Sequence, residues 1–210
     1  MNRGLALKFG PWIVVGVALL FLTGLVVLRL NAPADASRQA GPAPAIGGTF
    51  QLVDQTGRAV DQGILKGKWS AIFFGYTYCP DVCPTTLQTL AVAHDLLGPR
   101  ARNFQVIFIT VDPRRDTSAQ LSDYLSGTAF GRGVIGLTGT EQQIATVASR
   151  YGVYFQRAGG GDNYGVDHSS AIYLMGPDGR FDRAIPYGLT PQLTRDHITR
   201  AMSEAARRGA

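Results

Sequence analysis

An α/β sandwich is the fold class that this sequence predicts, and three features predict it. Two uninterrupted apolar runs, Trp69–Gly75 and Phe104–Val111, have the length and β-branched or aromatic character of fully buried strands. Amphipathic segments with helix-start signals follow each run, so strands and helices alternate. The chain then closes with a strand–turn–strand pattern and one last helix.

The elements follow in order. Residues 1–10 carry Arg3 and Lys8 and no acid. Residues 11–28 are uncharged and mostly apolar, and as a helix they span about 27 Å, close to a bilayer's hydrocarbon core. They read as one transmembrane helix, a single-pass anchor with a cytoplasmic N-terminus. A cleaved signal peptide ending at Ala34-Asp35-Ala36 is the alternative, although its apolar core is usually shorter. Residues 29–48, rich in Ala, Pro and Gly, form a flexible tether, or at their end an ordered arm. Residues 49–210 make one domain, large enough to bury a core without disulfide staples.

Within it, Thr49–Val53 and Arg58–Val60 flank the turn Asp54-Gln-Thr-Gly57 and form an N-terminal hairpin. Strand 69–75 leads into a helix over 84–97, with Pro84 in its first turn. Strand 104–111 exits through Asp112-Pro-Arg-Arg-Asp-Thr117, and Thr117 caps a helix over 118–126. A short strand, Val134–Leu137, precedes a helix from Thr140 to about Tyr151. Gln156–Asp167 reads as a polar, glycine-rich loop ending at His168. Ser170–Met175 and Arg180–Ala184 pair across Gly176-Pro-Asp-Gly179, and residues 190–208 form the closing helix. The order strand, cysteine loop, helix, strand, helix suggests a thioredoxin-like fold with an added N-terminal β-hairpin.

Charge excludes one class. The chain has 20 basic and 15 acidic residues, but three of the basic ones lie in residues 1–31, leaving 17 against 15. No clustered basic face marks a nucleic-acid partner.

Both cysteines, Cys79 and Cys83, lie between the first core strand and its helix. A helix N-terminus favours thiolates, and four-residue spacing lets both sulfurs face one way. Three readings stand: buried structural thiols, a redox pair one residue longer than Cys-x-x-Cys, or a metal site. Thiolates are soft ligands that select Cu(I), zinc or iron–sulfur clusters, and zinc or a cluster usually needs four ligands. Of the histidines, His94 lies about 16 Å along the helix from Cys83, and His197 sits in the last helix. His168 precedes a core strand on the side that faces the cysteine loop in a thioredoxin-like fold. No proline occurs between Pro113 and Pro177, so His168 stands where such folds place a proline opposite their cysteines. That favours metal capture over general disulfide exchange. Asp81 is read as a cap, and Asp112 and Asp116 as residues that order their loop, with a weaker docking or ligand-supporting role for Asp112. No Ser-His-Asp set, paired acid/base carboxylates or phosphate loop stands out.

Phe74-Gly-Tyr-Thr-Tyr-Cys-Pro-Asp-Val-Cys-Pro84, Val111-Asp-Pro-Arg-Arg-Asp-Thr117 and Asp167-His-Ser-Ser-Ala-Ile-Tyr-Leu174 together resemble the Sco/SenC family over roughly residues 40–205. The resemblance implies a membrane-anchored metallochaperone that binds a copper ion, as Cu(I) or Cu(II), through Cys79, Cys83 and His168, and that delivers copper to its target or reduces the target's thiols. It implies cytochrome c oxidase subunit II as the partner whose binuclear copper site is assembled, and a copper donor protein upstream. It places the chain in the inner membrane with its domain in the periplasm, or in the mitochondrial intermembrane space of a eukaryote. Tyr78 stands where many members have a histidine. The alternative is a thiol–disulfide oxidoreductase that uses Cys79 and Cys83 as a redox-active pair on that site's cysteines. A Cys79–Cys83 disulfide bond would abolish copper binding. A peroxide-reducing thiol enzyme fits poorly, because the isolated peroxidatic cysteine motif is absent.

Overall fold

A computed structural model of the chain describes residues 16–27, 46–127, 130, 133–161 and 163–208. The chain divides into two units, Met1–Pro44 and Ala45–Ala210. In the first, residues 16–27 form a helix, α1, whose apolar side chains, Leu20 and Phe21 among them, are exposed. The rest of the expected span and most of the tether lie outside the described residues. Among the described residues no helix is long and apolar enough to cross a membrane.

The second unit is built on a seven-stranded mixed sheet. Its strands are β1 (Gln51–Asp54), β2 (Ala59–Asp61), β3 (Trp69–Gly75), β4 (Phe104–Thr110), β5 (Val134–Thr138), β8 (Ile172–Met175) and β9 (Phe181–Ile185). They lie in the order β2-β1-β5-β4-β3-β8-β9. Strands β3, β4 and β5 are parallel neighbours, and the flanking pairs are antiparallel. Every residue of β3 and β4 is buried, as two-sided covering of a parallel core requires. The helices are α2 (Val82–Leu96), α3 (Ser118–Leu125), α4 (Glu141–Arg150) and α5 (Pro191–Arg208), with α2 packed on α5. This is the expected α/β sandwich with its N-terminal hairpin. Thr117 caps α3 through its side chain, and Thr140 closes a capping box on α4 with Gln143.

One expectation is corrected. Residues 156–167 are not a single loop. Phe155–Ala158 (β6) and Gly165–His168 (β7) pair as a separate two-stranded antiparallel sheet, with Phe155 opposite His168. The glycines supply the turn between them, Gly159 and Gly161 taking positive φ. The end of the tether follows the alternative of an ordered arm. Ile46 packs on the core, and Gly47 donates its N–H to the Arg150 carbonyl at 2.9 Å.

Candidate metal centre

The centre is assembled where β3 ends. The buried face of α2 repeats at helical spacing through Cys83, Leu87, Leu90 and Ala93. Cys83 therefore takes the first place in an apolar stripe and its sulfur points at the sheet. Gly75 makes room for it: a β-carbon there would lie 2.6 Å from Cys83 Sγ and 2.8 Å from the Phe108 ring. The loop between β3 and α2 is tied down by Asp116, which is wholly buried. Its carboxylate accepts from the Thr77 N–H (3.0 Å), the Thr77 hydroxyl (2.6 Å) and the Thr110 hydroxyl (2.6 Å). Burial outweighs these bonds and pushes its pKa up.

The two sulfurs are unlike each other. Cys83 is fully buried and Cys79 partly exposed, and both are free thiols. The Cys83 N–H donates to Cys79 Sγ at 3.4 Å. The Cys83 thiol, and then His168 and backbone N–H groups, hold the Cys79 thiol far below its ordinary range against the opposing effect of burial. The Cys79 sulfur and then burial push the Cys83 thiol up.

His168 supplies the third donor. Its Nδ1 lies 2.9 Å from the Ser169 carbonyl, which only an N–H can satisfy. The other ring nitrogen, Nε2, faces Cys83 Sγ at 3.5 Å, and in the neutral ring it offers its lone pair there. Edge contacts with Phe73 and Tyr76, at centroid distances of 6.1 and 5.9 Å, hold the ring in place. Cys79, Cys83 and His168 bring their ligand atoms within 4.8 Å of one another, the one such group among the described residues. Metal–ligand bonds of about 2.0–2.3 Å accommodate donors so spaced, and two thiols with a neutral imidazole suit a soft ion. The residues present fit a copper ion.

The sequence had brought these three together, but it placed His168 on a loop, whereas it ends β7. Asp81 occupies the N-cap position of α2 without a side-chain cap, and its carboxylate accepts from the Thr85 hydroxyl at 3.2 Å instead. His94 pairs with Asp95 and packs on Phe104, and His197 is half-buried on α5; neither joins the site. Asp112 does more than order its loop. It is buried, accepts from the Tyr164 hydroxyl at 2.8 Å and from Arg115, and so reaches the hairpin that carries His168. Arg115 and Tyr164 carried no recognisable signal, since each lies in a polar segment.

A model of the SCO1/SenC family matches residues 38–203. The chain belongs to that family. An SCO2-like protein of Rickettsia felis is 38% identical over 178 residues, covering 80% of this chain and 86% of the relative. The structure of Bradyrhizobium japonicum ScoI with copper bound is 44% identical, covers 75% of this chain and 99% of that one, and superposes with a TM-score of 0.68. A structure of BsSco, described as having a disulfide switch and as a member of the Sco family of cytochrome c oxidase assembly proteins, is 25% identical, with a TM-score of 0.63 over 77% of this chain and 94% of that one. The expected thioredoxin-like fold of this family is the fold observed.

Proposed function

We propose that the chain is a copper metallochaperone of cytochrome c oxidase assembly, which receives copper from a donor protein and passes it to the binuclear copper site of subunit II. The observation that carries this reading is the convergence of the Cys79, Cys83 and His168 ligand atoms within 4.8 Å, with His168 Nδ1 already engaged by the Ser169 carbonyl. Copper would be held by these three residues as Cu(I), and in a second state as Cu(II). Copper takes these sulfurs as thiolates, so its uptake competes with protons for them and weakens as the pH falls. Transfer proceeds by exchange of these donors for those of the acceptor. Residues 11–28 would anchor the chain in the inner membrane, with the domain in the periplasm or, in a eukaryote, the intermembrane space.

A second reading is favoured by the unequal exposure of the sulfurs. Cys79, partly exposed and held as thiolate, is placed to attack a disulfide sulfur of the target. Its attack forms a mixed disulfide and releases one target thiolate. Cys83, once deprotonated, then displaces the second, leaving a Cys79–Cys83 disulfide and a reduced target. His168 separates the readings, since copper holding needs it and dithiol reduction does not. The test is copper stoichiometry of the reduced protein, wild type and His168→Ala, with oxidase activity in cells carrying each. Loss of both copper and oxidase assembly in the variant supports the metallochaperone. Full oxidase assembly with His168→Ala, but not with Cys79→Ala, overturns it in favour of thiol chemistry.

A further inference from the structure

His168 rides on β6–β7, which shares no strand pairing with the main sheet. A lone two-stranded hairpin is marginal in water, so something else must hold it against the cysteine loop. A stack of arginines and tyrosines spans that gap. The Arg115 guanidinium carbon lies 3.6 Å from the centroid of the Tyr164 ring and 4.7 Å from that of Tyr78. Arg157 lies 4.3 Å from the Tyr164 ring as well. Tyr164 belongs to the turn of the hairpin, and Tyr78 directly precedes Cys79. Asp112 orients the centre of the stack, accepting from both Tyr164 and Arg115. Arg115 thus touches both segments that carry the candidate ligands.

We propose that Arg115 is a positioning residue that latches the β6–β7 hairpin, and with it His168, onto the loop that carries Cys79, through its contacts with Tyr164 and Tyr78. The Tyr78 ring closes the latch on the side of the cysteine loop. Because Tyr78 is itself more than half exposed, at 54%, its removal leaves the core intact. The consequence for copper rests on the metallochaperone reading; the latch itself does not.

The test is amide hydrogen exchange of the reduced, metal-free full chain. In Tyr78→Ala the β6–β7 amides should exchange about two- to five-fold faster, the loss of one partly exposed cation–π contact, while β3 and β4 amides keep their wild-type rates. Tyr78→Phe keeps a ring and should exchange as wild type. Arg115→Lys, which keeps the charge but not the flat guanidinium, should behave like Tyr78→Ala. Wild-type hairpin rates in both Tyr78→Ala and Arg115→Lys, or an equal rise across β3 and β4, would overturn the latch. A parallel experiment measures copper loss from the Cu(I)-loaded chain to a chelator, and Tyr78→Ala should release copper faster by the same factor. A wild type that takes up no copper defeats the metallochaperone reading and leaves the exchange result standing.

Discussion

Gly75→Ala tests how tightly the sheet sets the position of Cys83. The added methyl would stand 2.6 Å from Cys83 Sγ, 2.8 Å from Phe108 Cε2 and 3.2 Å from Phe73 Cε1. Non-bonded carbon contacts settle near 3.5–4.0 Å, so the sulfur must retreat by about 1 Å. It cannot do so freely, because Cys83 is fully buried on the first turn of α2 and both rings belong to the core. Overpacking of this kind costs about 1–3 kcal/mol. For a domain of this size each kcal/mol lowers Tm by about 2–4 °C, so a fall of about 2–12 °C is expected in the metal-free protein. Copper suffers separately, because Cys83 Sγ starts only 3.5 Å from His168 Nε2 and a sulfur displaced by that much spoils the donor set. The affinity for Cu(I) should drop about 10–100-fold, the range seen when groups that orient metal ligands are lost. The assay pairs calorimetry with competition against a Cu(I) chelator, and Gly136→Ala is the control. Its methyl would meet Leu125 Cδ1 at 2.6 Å, a side-chain end that can move, in a part of β5 without a ligand. Gly136→Ala should lower Tm and keep the copper affinity. Wild-type affinity in Gly75→Ala, or equal losses in the two variants, would refute the idea that this glycine seats the sulfur.

Two further outcomes follow from groups away from the centre. Burial pushes the Asp54 carboxyl up, but hydrogen bonds from Thr56 and Arg58 outweigh it and hold its pKa at about 2, against an ordinary 3.8. A folded-state pKa below the unfolded one stabilises above about pH 4, and that gain is lost as the pH falls through about 2. Asp54→Asn should therefore lose on the order of 1 kcal/mol at neutral pH, after allowance for screening, and the gap to wild type should close between pH 4 and 2 in denaturant titrations. A gap of constant size down to pH 2 would contradict this. Tyr151 is wholly buried and its hydroxyl meets no partner among the described residues, so Tyr151→Phe removes an unsatisfied group while keeping the ring contacts with Phe74 and Tyr173. Tm should hold steady or rise by a few degrees, and a clear fall would mean that the hydroxyl is satisfied.

The strands beside the centre were legible because β3 and β4 are buried along their full length and so contain, Gln105 apart, only core-forming residues and small polar ones. Thr117 and Thr140 were legible as caps by their chemistry and position. The hairpin β6–β7 was not, because it puts few side chains into the core, Val166 with Phe155 packed beside it. Of Gln156-Arg157-Ala158 and Gly165-Val166-Asp167, only Val166 is buried, so period-two alternation scarcely shows. The cysteines announced themselves by type and spacing, and His168 by its place before a core strand. Arg115 could not be found that way. An arginine after an Asp-Pro turn reads as a solvated side chain, and its role comes from Tyr164, 49 positions further along, and Tyr78, 37 positions before it. Asp116 was read correctly as an ordering residue, but its reach back to Thr77 depends on the parallel register of β3 and β4, which brings Gly75 opposite Thr110.

The unequal burial of the two sulfurs gives the centre a front and a back. Cys83 is closed off by Gly75, Phe108 and the first turn of α2, and no outside atom can approach from that side. Cys79 stands at the surface, with exposed Tyr78 and Pro80 on either side. For an ion held by these donors, traffic is therefore one-way in space. In the proposed transfer a replacing group would arrive on the Cys79 side, and Cys83 would let go last. For the proposed acceptor, the direction of docking would thus be set by the depth at which each sulfur lies, before any partner is met.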